Sequence, residues 1–237
     1  MFFLVGAKFL QIVIGVIKKR NEIQQNLKDS QLTALRAQMD PHFIFNALNS
    51  IQDFIIQEDK RSANHYLSKF SKLMRNILDA SDKNKISLKK EIDYLKLYLS
   101  LEALRFEDKF KYFFEIDENL NIDSTFIPSM LIQPYVENAL KHGLMHRREN
   151  KILYIRFSQN ENFLLCEIED NGIGRDASRK INKRNDRVYR SRAMSLTKER
   201  IDLLNSAETD KLGLEIEDLK NKDGSAAGTK VMIRIFQ

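Results

Sequence analysis

The stretch Phe163-Leu164-Leu165-Cys166-Glu167-Ile168-Glu169-Asp170-Asn171-Gly172-Ile173-Gly174 decides the reading of the fold. Leu164, Cys166, Ile168 and Asp170 alternate with more polar neighbours, the period of a half-buried β-strand. Asp170 falls on the apolar face, so its carboxylate points inward at the strand end. The D-N-G-x-G that follows leaves the strand. An inward carboxylate beside glycines can accept a hydrogen bond from an amino group on a flat ring such as adenine, while the glycines admit the ring. The same Asn-Gly pair also suits a plain hairpin turn.

Outward from this strand, four more alternating runs predict strands at 110–117, 151–158, 214–219 and 229–236. Helical patterns at 129–142 and 195–205 lie among them. Strands with helices on one face give an α+β sandwich. Upstream the texture changes, because residues 16–127 contain no glycine and a single proline, Pro41. That composition predicts long helices joined by short polar turns. One runs over 21–57 with a seam of Leu32, Leu35, Met39 and His42, continued by Phe45, Leu48, Gln52 and Ile55. A second carries Leu67, Phe70, Leu73, Met74, Ile77 and Leu78, and a third runs over 88–106. Two helices cannot bury the first two stripes alone, whereas a dimer can do so as a four-helix bundle.

The chain has 237 residues, enough for one or two domains with real cores. Its single cysteine, Cys166, excludes an internal disulfide and any zinc cluster built on paired cysteines. No G-x-x-x-x-G-K-[ST] string is present, which excludes phosphate-loop nucleotide chemistry. The net charge of +6 is concentrated between Arg175 and Arg192, where eight Lys and Arg face Asp176 and Asp186. A basic loop beside a glycine-containing turn fits a phosphate-bearing small ligand, and direct nucleic-acid binding is not expected. Residues 1–17, MFFLVGAKFLQIVIGVI, are nearly all apolar and run into Lys18-Lys19-Arg20. A helix of that length rises ~25 Å, short for a bilayer but anchored by the basic cluster at its cytoplasmic end. An apolar helix packing on a partner subunit is the other reading.

Two further constellations carry chemistry. In Gln38-Met39-Asp40-Pro41-His42-Phe43-Ile44-Phe45-Asn46, Pro41 tends to kink the helix just before His42. Neutral imidazole is a good nucleophile; a seam histidine satisfied by a neighbour is the plainer alternative. In Gln133-Pro134-Tyr135-Val136-Glu137-Asn138-Ala139-Leu140-Lys141-His142-Gly143, one stripe is apolar, and Glu137, Asn138, Lys141 and His142 lie opposite it. Amide or carboxylate oxygens there can ligate Mg²⁺, and Lys and His can reach phosphates. The alternative is an ordinary solvated face. Gly228-Thr229 opens the last strand.

Taken in this order and spacing, the P-H-F-x-F-N and Q-P-x-V-E-N-A-x-K-H-G strings resemble histidine kinases of the LytS/YehU-like branch over residues 25–237. The resemblance implies a membrane or membrane-proximal helix at 1–20, a helical-hairpin dimerisation and phosphoacceptor domain at 21–84, and a GHKL/Bergerat-type ATP-binding α/β sandwich at 85–237. His42 would accept the γ-phosphoryl group of ATP. Asp40, Asn46 and Glu137 would assist, Asp40 as a candidate orienter of the imidazole. Asn138 would ligate Mg²⁺, with Lys141 and His142 near the phosphates. Asp170 would read the adenine amino group, and Gly172, Gly174 and Thr229 would shape the base pocket. The basic segment up to Met194 would be the ATP lid, although Ser191-Arg192-Ala193 stands where the family usually has Ser-x-Gly. The implied partners are a second copy of the chain and a response regulator, of the LytTR DNA-binding type. The implied location is the bacterial cytoplasmic membrane, with the catalytic part in the cytoplasm.

Overall fold

The computed structural model describes residues 41–81, 83–106, 110–182 and 211–236. The expected anchor at 1–20, the helix over 21–40 with Asp40, the helix at 195–205 and Ala193 lie outside them. Among the described residues no helix is long and apolar enough to cross a membrane. The chain divides into two compact units, 1–63 and 64–237.

In the first unit, the described part of α1 is Pro41–Ile56. Phe43 and Ala47 are buried, while Phe45, Leu48, Ile55 and Ile56 are exposed. A tight turn follows, with Glu58 left-handed at φ 61°. Asp59 Oδ1 accepts the Ser62 N–H at 3.0 Å, the N-cap that starts α2 (Lys60–Ser81).

In the second unit, the rest of α2 buries Tyr66, Leu73, Ile77 and Ala80 and leaves Leu67 and Leu78 exposed. The single apolar set read from the sequence therefore divides between two faces. Ser129 Oγ donates to the Ala80 carbonyl at 2.7 Å, tying the helix end to the body. Strand β1 (Lys85–Ser87) pairs antiparallel with β3 (Phe126–Pro128). Between them lie α3 (Leu88–Arg105) and β2 (Phe110–Ile116).

The expected helix over 129–142 is shorter and irregular. Only Gln133–Asn138 is α-helical (α4), followed by a π-helical turn at Ala139–Gly143 and a 3₁₀ turn at Leu144–His146. Met130 is left-handed at φ 54°, which no helix continues through. Pro134 sits in the first turn of α4, where the chain can begin a helix.

The main sheet has the order β2-β4-β5-β7-β6, with β4 (Lys151–Gln159), β5 (Phe163–Asp170), β6 (Leu212–Lys220) and β7 (Ala226–Phe236). Only β2 and β4 run parallel; the other pairs are antiparallel. The α+β expectation holds, with a mixed sheet. Leu153, Ile155, Phe157, Leu164, Ile168, Ile233 and Ile235 fill its inner face. The outer face is a charged ladder, in which Arg156 bonds both Glu115 and Glu169 at 2.7 Å. One short helix, α5 (Arg175–Asn182), follows the end of β5. The basic segment read as a loop is therefore helical in its first eight residues. Arg175 there is bound in both prongs to Asp218 of β6 at 2.6 Å.

Candidate functional site

Asp170 ends β5 on the inner face, as its alternation requires, and is 4% exposed. Cross-strand register places it opposite Leu153 of β4 and Thr229 of β7. Its Oδ1 accepts the Gly172 N–H at 2.8 Å. Burial pushes this carboxyl up to about 6, while the backbone N–H groups of Gly172 and Thr229 pull it down and Glu169 pushes it further up.

Three glycines from separate segments crowd Asp170, Gly143 and Gly172 at its carboxylate and Gly228 at its backbone carbonyl. A Cβ on Gly172 would fall 2.6 Å from Asp170 Oδ1, and one on Gly143 would fall 2.8 Å from its Cγ. Gly228, at φ +140°, has the Asp170 carbonyl directly against the position a side chain would take. Gly174 is left-handed at φ +76° and turns the chain into α5. The D-N-G-x-G string is thus not a hairpin turn. Asn171 instead works as a clamp: its Oδ1 accepts the Ile152 N–H at 2.9 Å and its Nδ2 donates to the Asn150 carbonyl at 2.6 Å. Arg147 Nη1 donates to the Asn171 carbonyl at 2.6 Å.

The π turn brings the second string to the same place. Gly143 ends that turn beside Asp170, and its carbonyl accepts the Ile173 N–H at 3.3 Å. Widening the helix by one residue per turn at Ala139–Gly143 alters the angular spacing of Lys141 and His142 relative to Asn138. Asn138, Lys141 and His142 are half-buried. Glu137 accepts Gln133 Nε2 at 2.9 Å on one oxygen and Lys141 Nζ at 3.3 Å on the other.

A histidine kinase family model matches residues 30–110. The sensor protein LytS of Staphylococcus epidermidis is 34% identical over 164 residues, 69% of this chain and 27% of that protein. The sensor histidine kinase YpdA of Escherichia coli is 32% identical over 160 residues, 68% of this chain and 28% of its own length. Among solved structures, the histidine kinase domain of the Erythrobacter litoralis EL346 blue-light activated histidine kinase matches with a TM-score of 0.46 and 16% identity, covering 87% of this chain and 91% of that one. The matched region is that of a LytS-like sensor histidine kinase. The chain spans about a quarter of the length of the curated relatives it matches.

Of the residues expected to serve the kinase, Asp170, Gly172, Thr229 and the Asn138–Gly143 segment belong to one side of the second unit. Gly174 adjoins them at the start of α5. His42 lies in α1, and half-buried Asn46 lies one turn further on, its carbonyl accepting Ser50 Oγ at 3.0 Å. Both belong to the first unit.

Sequence reasoning missed two buried acids of this chain. Glu91, 1% exposed, accepts the Met130 N–H at 3.2 Å and the Ile132 N–H at 3.1 Å. It thereby fixes the chain just before α4. Glu102, also 1% exposed, bonds Arg105 at 2.5 Å. Burial pushes its carboxyl up; Arg105 and Lys141 pull it down, and Glu137 adds to the push. The signal was available, because both acids fall beside the apolar stripe of α3 rather than opposite it.

Proposed function

We propose that the chain is the kinase portion of a two-component sensor, which transfers the γ-phosphoryl group of ATP to His42 and passes it to an aspartate of a response regulator. A ring nitrogen of His42 would attack the γ-phosphorus as the bond to the β,γ-bridging oxygen breaks. ADP leaves and phosphohistidine remains. Such a transfer rests mainly on positioning and charge neutralisation.

The observation that carries this reading is the Asp170 cage. A buried, ionisable carboxyl at a strand end, with glycine backbone drawn tightly around it, suits recognition of an amino group on a flat base. Asp170 retains acceptor capacity beyond the Gly172 N–H, since a carboxylate offers about four lone-pair sites. Asn138 would hold Mg²⁺ through its amide oxygen together with phosphate oxygens. No cluster of three or more acidic, His or Cys ligands occurs among the described residues, which suits a metal held largely by the nucleotide. When bound, Mg²⁺ would neutralise phosphate charge. Lys141 and His142 stand on the same turn to reach phosphate, and Thr229 flanks the base.

The exposed apolar side chains of α1 and α2 support a homodimer closed as a four-helix bundle, and residues 1–20 support attachment at the cytoplasmic membrane. The response regulator would be of the LytTR type. A second reading, a dimeric scaffold that binds ATP without efficient transfer, is favoured by Ala193 in place of glycine. Incubation with γ-labelled ATP tests both. Acid-labile, base-stable label that disappears in His42→Gln supports the kinase; ATP binding with no label supports the scaffold.

A further inference from the structure

The glycine string after β5 runs sideways across the sheet. Register sets Asp170 of β5, Thr229 of β7 and Asp218 of β6 in one row over three adjacent strands. Neighbouring strands lie about 4.8 Å apart, so Asp218 stands roughly 10 Å from Asp170. Arg175, five positions after Asp170, reaches it: Nε donates to Asp218 Oδ1 and Nη2 to Oδ2, both at 2.6 Å. Residues 171–174 therefore cross the opening of β7. A Cβ on Gly174 would fall 3.0 Å from the Ala226 Cβ and 3.9 Å from the Gly228 carbonyl oxygen, which traces the crossing.

This strap is fastened on both sides of β7. On the β4 side, Asn171 grips the Ile152 N–H and the Asn150 carbonyl. Between the ends, the Gly172 N–H donates to Asp170 Oδ1 and the Ile173 N–H to the Gly143 carbonyl. On the β6 side stands the Arg175–Asp218 fork. A partly exposed ion pair is ordinarily weak, but a two-pronged guanidinium–carboxylate pair fixes direction as well as distance. The bond to Arg175 holds the Asp218 carboxyl below its usual range, and Arg179 and Lys220 act in the same sense. Arg179 is itself engaged with Asp176 at 3.6 Å.

We propose that Arg175 and Asp218 are positioning residues of the base pocket: their fork fastens the far end of the strap and so fixes the Gly172 N–H that orients the Asp170 carboxylate. This rests on the nucleotide reading above. Because the strap serves the base and not the phosphates, loss of the fork should weaken adenosine and ATP alike.

The test uses the full chain as wild type, Arg175→Gln, Asp218→Asn, the double variant and Arg175→Lys. Each is read by calorimetric binding of adenosine and ATP and by amide exchange of the ligand-free protein. Either neutral variant should weaken both ligands roughly threefold to tenfold, and the double variant no more than the weaker single one, since the two residues act as a unit. Exchange at Gly172 should quicken while the amides of β4 and β5 keep their protection. Arg175→Lys, which keeps the charge without the fork, should fall between wild type and Arg175→Gln. Affinities within twofold of wild type, full additivity in the double variant, or unchanged exchange at Gly172 would overturn the assignment. Faster exchange throughout β4 and β5 would overturn it too, in favour of a general loosening of the sheet. Should a neutral variant fail to fold, Arg175→Lys decides by the same two readouts. If wild type bound neither ligand, the nucleotide reading would fall, whereas exchange at Gly172 would still report whether the fork fastens the strap.

Discussion

Gly143 and Asp170 occupy one another's side-chain space: a Cβ on Gly143 would stand 2.8 Å from the Asp170 Cγ and closer still to its Oδ1. The glycine at the end of the π turn is thus fixed by a carboxylate 27 positions later, on a different element.

Gly143→Ala should therefore be costly on two counts. Forcing a methyl into filled space should destabilise the chain by about 1–3 kcal/mol, and the displaced Asp170 should lose its hold on the base. Denaturant titration and adenosine calorimetry read the two effects separately. A variant as stable and as tight-binding as wild type would contradict the crowding.

Asp170→Asn should separate stability from binding. The folded carboxyl is raised from 3.8 to about 6, so the folded chain holds that proton more tightly than the unfolded chain. Its contribution is most favourable below pH 3.8, declines as pH rises, and is fully unfavourable above about 6. In the ligand-free protein the asparagine variant should gain up to roughly 2–3 kcal/mol at pH 7.5 and less at pH 5. ATP affinity should nevertheless fall, by ~1.5–3 kcal/mol. A stability difference that did not vary between these pH values would refute the burial effect.

Glu91→Ala leaves the Met130 and Ile132 N–H groups without their buried acceptor. Each orphaned donor costs about 1–3 kcal/mol, and the segment ahead of α4 should loosen. The expected readout is a lower unfolding midpoint together with faster amide exchange at 130–132. Unchanged exchange there would show that Glu91 does not hold the segment.

Cys166 should be chemically silent in the native state. It is fully covered, and burial raises its thiol well above the usual range, with Glu91 and Glu167 adding to the push. A thiol-titrating disulfide reagent should register none at pH 8 and one equivalent in guanidinium. Rapid native labelling would mean that the sheet opens at β5.

Much of the sandwich was legible because its strands alternate cleanly. The run 163–170 coincides with β5 at both ends, and Asp170 points inward as its parity requires. The three-residue strands β1 and β3 were not legible, since three residues cannot display a period. The irregular stretch after Pro128 was read as helix because the apolar spacing of Leu131, Ile132, Tyr135 and Val136 is helical. What interrupts it is tertiary, namely the left-handed Met130 and the distant Glu91. In the site, the acids that hold loop backbone or a neighbouring arginine were harder to find than those in strings. Glu91 and Glu102 look like surface charges until their face of α3 is counted.

The parallel pairing of β2 with β4 has a consequence for what the chain can lose. Parallel neighbours need a return path across the sheet, and residues 117–150 provide it, with α4 and the π turn inside that path. The hairpin at 160–162, between antiparallel β4 and β5, can be shortened or lengthened locally. Trimming the 117–150 return removes either the register of β2 or the turn that delivers Asn138 and Gly143. Insertion and deletion scanning should accordingly find a tolerant tip at 160–162 and an intolerant connection ahead of β4, although both read in the sequence as links between neighbouring strands.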